Sequence, residues 1–161
     1  MTDAIQYRSG HVDLRSFDVD AAQVFEIGDL VYMDVSTDEV FPVSGFTWDT
    51  NIATTQAAMA NVFVGVCRTK KAAGVAGPIS VDVSPDSVYE CSCASADFLH
   101  GAPLGAAKQS GNALENQKVV GAVAASSIAK ATEARAGTTK IRCNFMSAYK
   151  SGSGNLNAEV G

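Results

Sequence analysis

The sequence predicts a mainly β fold: a single domain of β-barrel or β-sandwich type built from two related β units, with an extended N-terminal arm and one short helix or loop insertion. Three observations lead to this prediction. Short runs alternate apolar and polar residues, as in ISVDV, which is the period of a strand with one buried face. Small residues and turn residues are abundant, while charged residues make up only 18%. A short string of residues also occurs twice, 73 positions apart.

The chain length limits the fold to one domain or two small lobes. With 161 residues, the chain can bury about two thirds of its unfolded surface, so disulfides are not required for stability. Residues 147–161, which end in SGSGNLNAEVG, lack apolar mass and are predicted to form a flexible tail.

Residues 1–24 form the predicted N-terminal arm. They carry no sustained period, although the stretch VDLRSFDVD alternates apolar and polar residues. This pattern is typical of an extended arm or an edge strand.

The segment FTWDTNIATTQAAMAN is predicted to hold one short helix. Four of its residues recur at helical spacing: Trp48, Ile52, Thr55 and Met59. Asp49 or Thr50 would cap this helix, because a side-chain oxygen at a helix start can accept from the free backbone N–H groups.

Aromatic residues cluster at the start of this segment. Phe46 and Trp48 lie close to Phe41, Pro42 and Gly45 in the sequence. Such a group is either part of the core or a sticky loop that meets a partner, and the sequence favours neither.

The repeated string contains a phenylalanine and a glycine. FEIGDLV at residues 25–31 and FLHGAPL at residues 98–104 both read F-x-x-G-x-x followed by an aliphatic residue. We interpret each as a turn at a strand end. The aromatic ring anchors the strand in the core, and Gly28 or Gly101 adopts a backbone angle that a β-carbon would forbid.

A second shared string follows each first one. Residues 69–74 and 132–137 both read T-x-x-x-A-G and lead into ISVDV and TKIRCNF, so Gly74 and Gly137 are also predicted turn residues. Because this string precedes a strand in the first copy, residues 127–134 are predicted to be strand and not an alanine-rich helix. The basic pair at residues 70–71 is interpreted as a solvated hairpin tip.

The two copies differ in length. The first string repeats after 73 residues and the second after 63, so the first copy carries an insertion between Val40 and Val62. The β domain then spans residues 25–146, with one copy at about residues 25–90 and the other at about residues 96–146.

The glycine-rich stretch GAPLGAAKQSG does not fit a nucleotide site. A phosphate loop needs four residues between its glycines and a lysine followed by a hydroxyl residue. Here three residues separate Gly101 from Gly105, and Gln109 follows Lys108. The stretch is better interpreted as the second copy of the strand-ending turn.

No catalytic, cofactor-binding or metal-binding residues are predicted, and the chain is not expected to be an enzyme. His11 and His100 are isolated from each other. Cys91 and Cys93 are one residue apart, so they project from one face of a strand, whereas zinc sites use two to four intervening residues. The four cysteines are interpreted as buried thiols of a reducing compartment.

Charge and hydropathy limit the partners. The net charge of -5 argues against nucleic acid, because lysine and arginine supply the grip on phosphate. No apolar run approaches the roughly 20 residues of a membrane helix, and the first residues lack a signal-peptide pattern. We therefore expect synthesis in the cytoplasm and no membrane partner.

Several features occur in a particular order: GDLVY near the beginning, VFVGV with an AAG turn, ISVDVSPDSVYECSCASADF, GAPLGAAKQSGNALENQKVVGAV and a closing TTKIRCNF. In this order the chain resembles the capsid cement, or head decoration, proteins of tailed bacteriophages. The likeness covers residues 24–145, and its motifs are structural turns. The insertion around Trp48, His100 and the missing acidic residue after Gly101 depart from the family's pattern.

The resemblance implies a β-rich virion protein on the outer capsid surface, made in the host cytoplasm. Its partners would be the major capsid protein and itself, as a homotrimer that bridges capsomers and stabilises the expanded head. The implied contact residues are Tyr7, Arg8, Arg15 and Phe17 of the arm, which could add an edge strand to a neighbour, and Phe46 and Trp48.

Two other functions stay open from the sequence. Another virion β-protein, such as a tail-tube or fibre-base component, would differ in its position in the particle. A soluble ligand-binding β-barrel or a small hydrolase would need a pocket with convergent polar groups, and no sequence motif points to one.

Overall fold

The computed structural model describes residues 4–150, and within them lie eleven strands and one α-helix. The strands, in chain order, are β1 (Ile5–Ser9), β2 (Leu14–Phe17), β3 (Leu30–Asp34), β4 (Glu39–Pro42), β5 (Phe63–Cys67), β6 (Ile79–Asp82), β7 (Val88–Phe98), β8 (Pro103–Lys108), β9 (Leu114–Gly121), β10 (Ala129–Ala131) and β11 (Arg135–Phe145). The helix α1 (Ile52–Ala60) lies between β4 and β5. The predicted mainly β fold with one short helix is confirmed.

The strands form two sheets. One sheet has the order β2-β6-β5-β3-β4, and the other has the order β1-β7-β11-β10-β8-β9. In the second sheet β7 also pairs in parallel with β9, through Ser92 with Lys118 and Cys93 with Val119. This pairing closes β7 to β11 into a five-stranded barrel.

The two sheets repeat one strand order, which confirms the predicted pair of related β units. We call β2 to β6 unit one (residues 14–82) and β7 to β11 unit two (residues 88–145). In both units the first strand pairs with the fifth, followed by the fourth, the second and the third. The repeat extends to register: Leu14 pairs with Asp82 in unit one, and Val88 pairs with Asn144 in unit two.

The closing contact of the barrel is also repeated. In unit one the Val40 N–H donates to the Asp18 carbonyl at 3.0 Å, where the end of β2 meets β4. This is the place at which β7 pairs with β9 in unit two. Unit two is therefore a closed barrel, whereas unit one is a five-stranded sheet whose two outer strands approach each other at this hydrogen bond.

The unit boundaries differ from the predicted copies at residues 25–90 and 96–146. Each unit begins one strand earlier, with β2 in unit one and β7 in unit two. The sequences of these first strands, LRSF in β2 and VYEC at the start of β7, have no residue in common at equivalent positions. Only the strand pairing identifies them as repeats.

The described part of residues 1–24 does not form a separate arm. β1 pairs with β7 of unit two, with Ile5 opposite Cys91 and Tyr7 opposite Tyr89. β2 pairs with β6 of unit one. The edge-strand interpretation is correct for both segments, and each joins a different sheet.

The four predicted turn glycines all have a positive φ: 99° at Gly28, 81° at Gly74, 82° at Gly101 and 56° at Gly137. This is the left-handed region that a β-carbon disfavours. Gly28, Gly74 and Gly101 lie in turns as predicted. Gly137 lies within β11, where the pairing with β7 shifts register, so its assignment as a turn residue is wrong.

The second repeated string is misaligned by one residue at its start. Cys67 pairs with Val81 in unit one, and Ala131 pairs with Cys143 in unit two. Because Cys67 is thus the counterpart of Ala131, Thr132 corresponds to Arg68 and not to Thr69. The shared threonine was a coincidence of composition.

The helix α1 is the insertion predicted for the first copy. Residues 43–62 separate β4 from β5, whereas only residues 122–128 separate β9 from β10. The cap is Asn51, whose side chain accepts from the Thr54 N–H at 3.0 Å, and not Asp49 or Thr50. Of the predicted strand at residues 127–134, only Ala129–Ala131 is strand.

The interpretation of the basic pair at residues 70–71 as a solvated hairpin tip is correct for Lys70 and wrong for Lys71. Lys71 is buried, and its Nζ donates to the carbonyls of Ala21 and Gln23 at 3.0 Å each. Lys70 is exposed and lies 3.3 Å from Glu26. Lys71 therefore ties the loop before β3 to the segment that follows β5.

One hydrophobic core is shared by the two units. Leu30, Met59 and Phe63 of unit one belong to the same buried cluster as Ile141 and Phe145 of unit two. A second cluster lies within unit one and includes residues of β2, β3, β5 and β6. Because the first cluster spans both sheets, the units form a single domain.

The last described residues pack against unit one. The Ala148 N–H donates to the Phe63 carbonyl at 2.7 Å, and the Tyr149 ring lies 4.9 Å from the Phe17 ring. Residues 147–150 of the predicted tail are thus part of the packed domain. Residues 151–161 lie outside the described residues.

Candidate interaction surface

Tyr7 is partly exposed, and its ring also packs against other residues of the domain. Its side chain is 38% exposed, and its ring lies edge-on to Tyr89 at 5.9 Å. The Arg68 guanidinium lies over the same ring at 5.3 Å. A partner could contact only the outer part of this ring.

Arg8 belongs to a group of cations around one carboxylate. Its guanidinium lies 2.8 Å from Glu90, and Arg142 and Lys140 approach the same carboxylate at 3.8 and 3.9 Å. The hydrogen bond from Arg8 is the main reason that the pKa of Glu90 is lowered, and burial opposes it. Since one carboxylate balances only one of three cations, we call Arg8, Lys140 and Arg142 the basic strip.

The basic strip was not recognised in the sequence beyond Arg8. Its residues come from β1 and β11, and Glu90 comes from β7. They meet because β7 pairs with β1 on one side and with β11 on the other. Only the pairing register, with Gln6 and Arg142 both opposite Glu90, could have predicted it.

Arg15 is exposed on β2 and pairs within its own segment. Its Nε lies 3.1 Å from Asp13, which Lys150 also contacts. The hydrogen bond from Arg15, followed by that from Lys150, lowers the pKa of Asp13 to about 2. Arg15 remains available to a partner as a predicted contact residue.

Phe17 is not a surface residue, so its assignment as a contact residue is wrong. It is only 7% exposed and belongs to the core of unit one. Of the four residues of β2 only Phe17 is buried, and Leu14, which is 53% exposed, lies at the other end of the strand. The prediction for Phe17 rested on the alternating pattern of the arm, and it did not include Leu14.

The outer edge of β2 is an open strand position. In unit two the first strand, β7, carries β1 along residues 88–91. In unit one the equivalent residues 14–17 of β2 carry no strand on that edge within residues 4–150. By analogy with β7, this edge of β2 could accept an antiparallel strand.

Phe46 and Trp48 contribute mainly to the core. Both are half-buried and pack against the shared core. Phe46 lies edge-on to Tyr32 at 5.0 Å, and the Lys108 ammonium lies over the Trp48 ring at 5.2 Å. Of the two roles that the sequence left open, this packing favours the core role, with part of each ring at the surface.

A polar cleft of about 710 Å³ lies between the units. At its base the Gln117 side chain donates to Asp29 at 2.7 Å, and the Glu26 N–H donates to the other carboxylate oxygen at 2.9 Å. Burial is the main reason that the pKa of Asp29 is raised. Because protein donors engage both oxygens, Asp29 joins the units and does not act as a free base.

The titratable groups do not assemble into a metal cluster within residues 4–150: no three His, Cys, Asp or Glu side chains there converge on one point. Burial raises the pKa of Cys67 to about 11. It raises the pKa of Cys91 as well. These thiols are protonated at neutral pH and are poor nucleophiles in the folded state.

In comparisons with known proteins, no family model and no curated protein matches this chain. Across residues 4–150, none of the helical segments has the length and apolar character needed to cross a bilayer. The fold and surface thus define a β-rich domain of two related five-stranded units, one of them a closed barrel, with an open strand edge and a basic strip.

Proposed function

We propose that the chain is a structural virion protein, a cement or decoration protein that binds the outer surface of a tailed-phage head. It acts as a homotrimer that bridges neighbouring capsomers and stabilises the expanded head. Its partners are the major capsid protein and two further copies of itself.

The observation that supports this proposal best is the position of the repeated motifs. GDLVY at residues 28–32 leads into β3, and GAPLG at residues 101–105 leads into β8. These are equivalent second strands of the two units. The duplicated layout that underlies the resemblance to the cement proteins is therefore a duplication of the backbone and not a chance match of short strings.

The surface chemistry is compatible with a protein partner on the outside of a shell. A net charge of -5 disfavours contact with packaged nucleic acid. The basic strip is a local exception that could meet acidic side chains of a protein. The open edge of β2 could accept an extended segment of the shell.

The mechanism follows from mass action. A partner that binds the expanded shell and not the unexpanded shell stabilises the expanded state by its binding free energy. Many symmetry-related copies multiply this effect over the particle. No bond is made or broken, so function depends on shape and charge alone.

The proposal is tested by co-sedimentation with heads assembled from the major capsid protein of the same phage. We expect the purified chain to sediment with expanded heads and not with unexpanded heads. Light scattering after gel filtration should give three times the 16.7 kDa of the chain. A monomer that leaves both kinds of head unbound would refute the proposal.

A further inference from the structure

Two cysteines of unit two touch each other. Cys91 lies on β7 and Cys143 on β11, and their sulfur atoms are 3.2 Å apart. Both residues are fully buried. The strands are antiparallel, with Cys91 opposite Ile141 and Cys143 opposite Tyr89, so the two side chains approach diagonally on one face of the sheet.

The other two cysteines have different neighbours. The Cys67 sulfur contacts the Thr69 carbonyl at 3.1 Å, and the Cys93 sulfur contacts the Thr138 carbonyl at 3.7 Å. Cys67 lies on β5 of unit one. Within residues 4–150 only Cys91 and Cys143 thus form a close sulfur pair. Cys67 and Cys93 can serve as internal controls in an experiment on this pair.

We infer that Cys91 and Cys143 are a disulfide-forming pair, a redox site that joins the two longest strands of unit two. The sulfur atoms need to approach by about 1 Å to reach the S–S bond length of about 2.05 Å. One thiolate attacks oxidised glutathione to give a mixed disulfide and one reduced glutathione. The second protein thiol then displaces the glutathione held in the mixed disulfide. Overall, the two protein S–H bonds are replaced by one protein S–S bond, and the S–S bond of oxidised glutathione is replaced by the S–H bonds of two reduced glutathione molecules.

Burial sets when the reaction can occur. Glutathione does not reach sulfur atoms that are fully buried, so β7 and β11 must separate locally, or the bond must form before the barrel closes. Once the barrel has closed, the same burial protects the disulfide from reductant. The oxidation state of the pair is therefore set by the redox conditions under which unit two folded or last opened.

The bond would fasten the centre of unit two. β7 and β11 are each 11 residues long, and the link would close the chain between residues 91 and 143. A cross-link compatible with the native structure restricts the unfolded chain and stabilises the fold. The inference concerns the isolated chain and is independent of the proposed capsid function.

The test is the thiol–disulfide equilibrium of the pair in glutathione buffers, approached from both the reduced and the oxidised side. Thiols are alkylated at equilibrium, and cysteine-linked peptides are quantified by mass spectrometry. We expect the peptide joining Cys91 to Cys143 as the main product. The effective concentration of the two thiols toward each other should be roughly 100-fold higher in the folded chain than in the chain unfolded in guanidinium chloride. The reason is linkage: a disulfide that stabilises the fold is itself stabilised by the fold to the same degree.

Two variants provide the comparison. Cys143→Ala should abolish the linked product, whereas Cys67→Ala should leave it unchanged. If Cys143→Ala does not fold, the peptide map of the natural chain still decides the question. An effective concentration no higher in the folded than in the unfolded chain, or linkage to Cys67 or Cys93 as often as between the pair, would overturn the inference.

Discussion

Gly28 and Gly101 make the same hydrogen bond in the two units. The Gly28 N–H donates to the Cys67 carbonyl and the Gly101 N–H donates to the Ala131 carbonyl, each at 2.8 Å. In both cases the glycine precedes the second strand of its unit and the acceptor lies on the fourth. This relationship anchors the alignment of the two units residue by residue.

The equivalent glycines should differ in their tolerance of a side chain. At Gly101 an added β-carbon meets no atom within 4 Å, and only the positive φ of 82° opposes it. Gly101→Ala should therefore cost about 1–2 kcal/mol of unfolding free energy. At Gly28 the β-carbon would also lie 2.7 Å from the Ile5 carbonyl oxygen, so Gly28→Ala should cost more. Urea unfolding of both variants gives the two values, and equal losses would contradict this account.

Adjacent lysines should make unequal contributions to stability. Lys71→Met removes an ammonium that donates to Ala21 and Gln23, and should lower the unfolding free energy by about 2–3 kcal/mol, as expected for hydrogen bonds from a charged group. Lys70→Met is the matched control and should change it by less than about 0.5 kcal/mol, since its ion pair is at the surface. Chemical denaturation compares them. A Lys71 variant as stable as the Lys70 variant would show that the buried ammonium does not hold the loop.

The basic strip should set the titration of Glu90. Its folded pKa is lowered from the ordinary 4.5, first by the hydrogen bond from Arg8. The ionised carboxylate therefore stabilises the fold above the unfolded pKa, and this contribution is lost as the pH falls through the folded pKa. Arg8→Ala should move the Glu90 titration to higher pH, as followed by carboxyl NMR shifts. An unchanged titration would place Arg8 away from Glu90 in solution.

The open edge of β2 should contribute to shell binding. Leu14→Lys introduces a charge at this edge, which discourages strand addition, and should weaken binding to expanded heads by about tenfold. Val35→Lys is the control, because Val35 is also an exposed aliphatic residue of unit one, at 60% exposure. Binding is measured by co-sedimentation. Equal binding by both variants, with the natural chain bound, would exclude the edge and leave the cement function standing.

The basic strip should contribute independently of that edge. Arg142→Glu reverses one of its charges and should weaken head binding, with a smaller effect at high salt because surface charges are screened. Arg135→Glu is matched to it, since Arg135 is exposed and lies 3.6 Å from one carboxylate, that of Glu133. If the Arg135 variant lost as much binding as the Arg142 variant, the effect would reflect overall charge and not the strip.

The features that the sequence predicted are those encoded locally. The positive φ of Gly28, Gly74 and Gly101 follows from short strings in which glycine is the residue that best fits the turn. The helix α1 follows from residue spacing. Its cap, Asn51, lies one residue after Thr50 and two after Asp49, which is within the one or two residues by which helix ends are uncertain. Predicting these features requires only residues that are neighbours in the chain.

The features that the sequence did not predict depend on distant pairing. The first strands of the units have no identical residues at equivalent positions, so their equivalence emerges only from their partners β6 and β11. The joining of β1 to unit two, and with it the meeting of Arg8 and Glu90, requires the pairing of segments 82 residues apart. Phe17 and Lys71 were misjudged because their burial depends on distant partners: Phe17 packs into the core of unit one, and Lys71 donates to carbonyls of the loop before β3.

The most direct test of the central proposal is an electron-microscopy difference map of expanded heads with and without this protein. The account predicts added density on the outer surface at local threefold positions, with three copies bridging neighbouring capsomers. Heads that show no added density, or particles in which the protein lies in the tail, would contradict it.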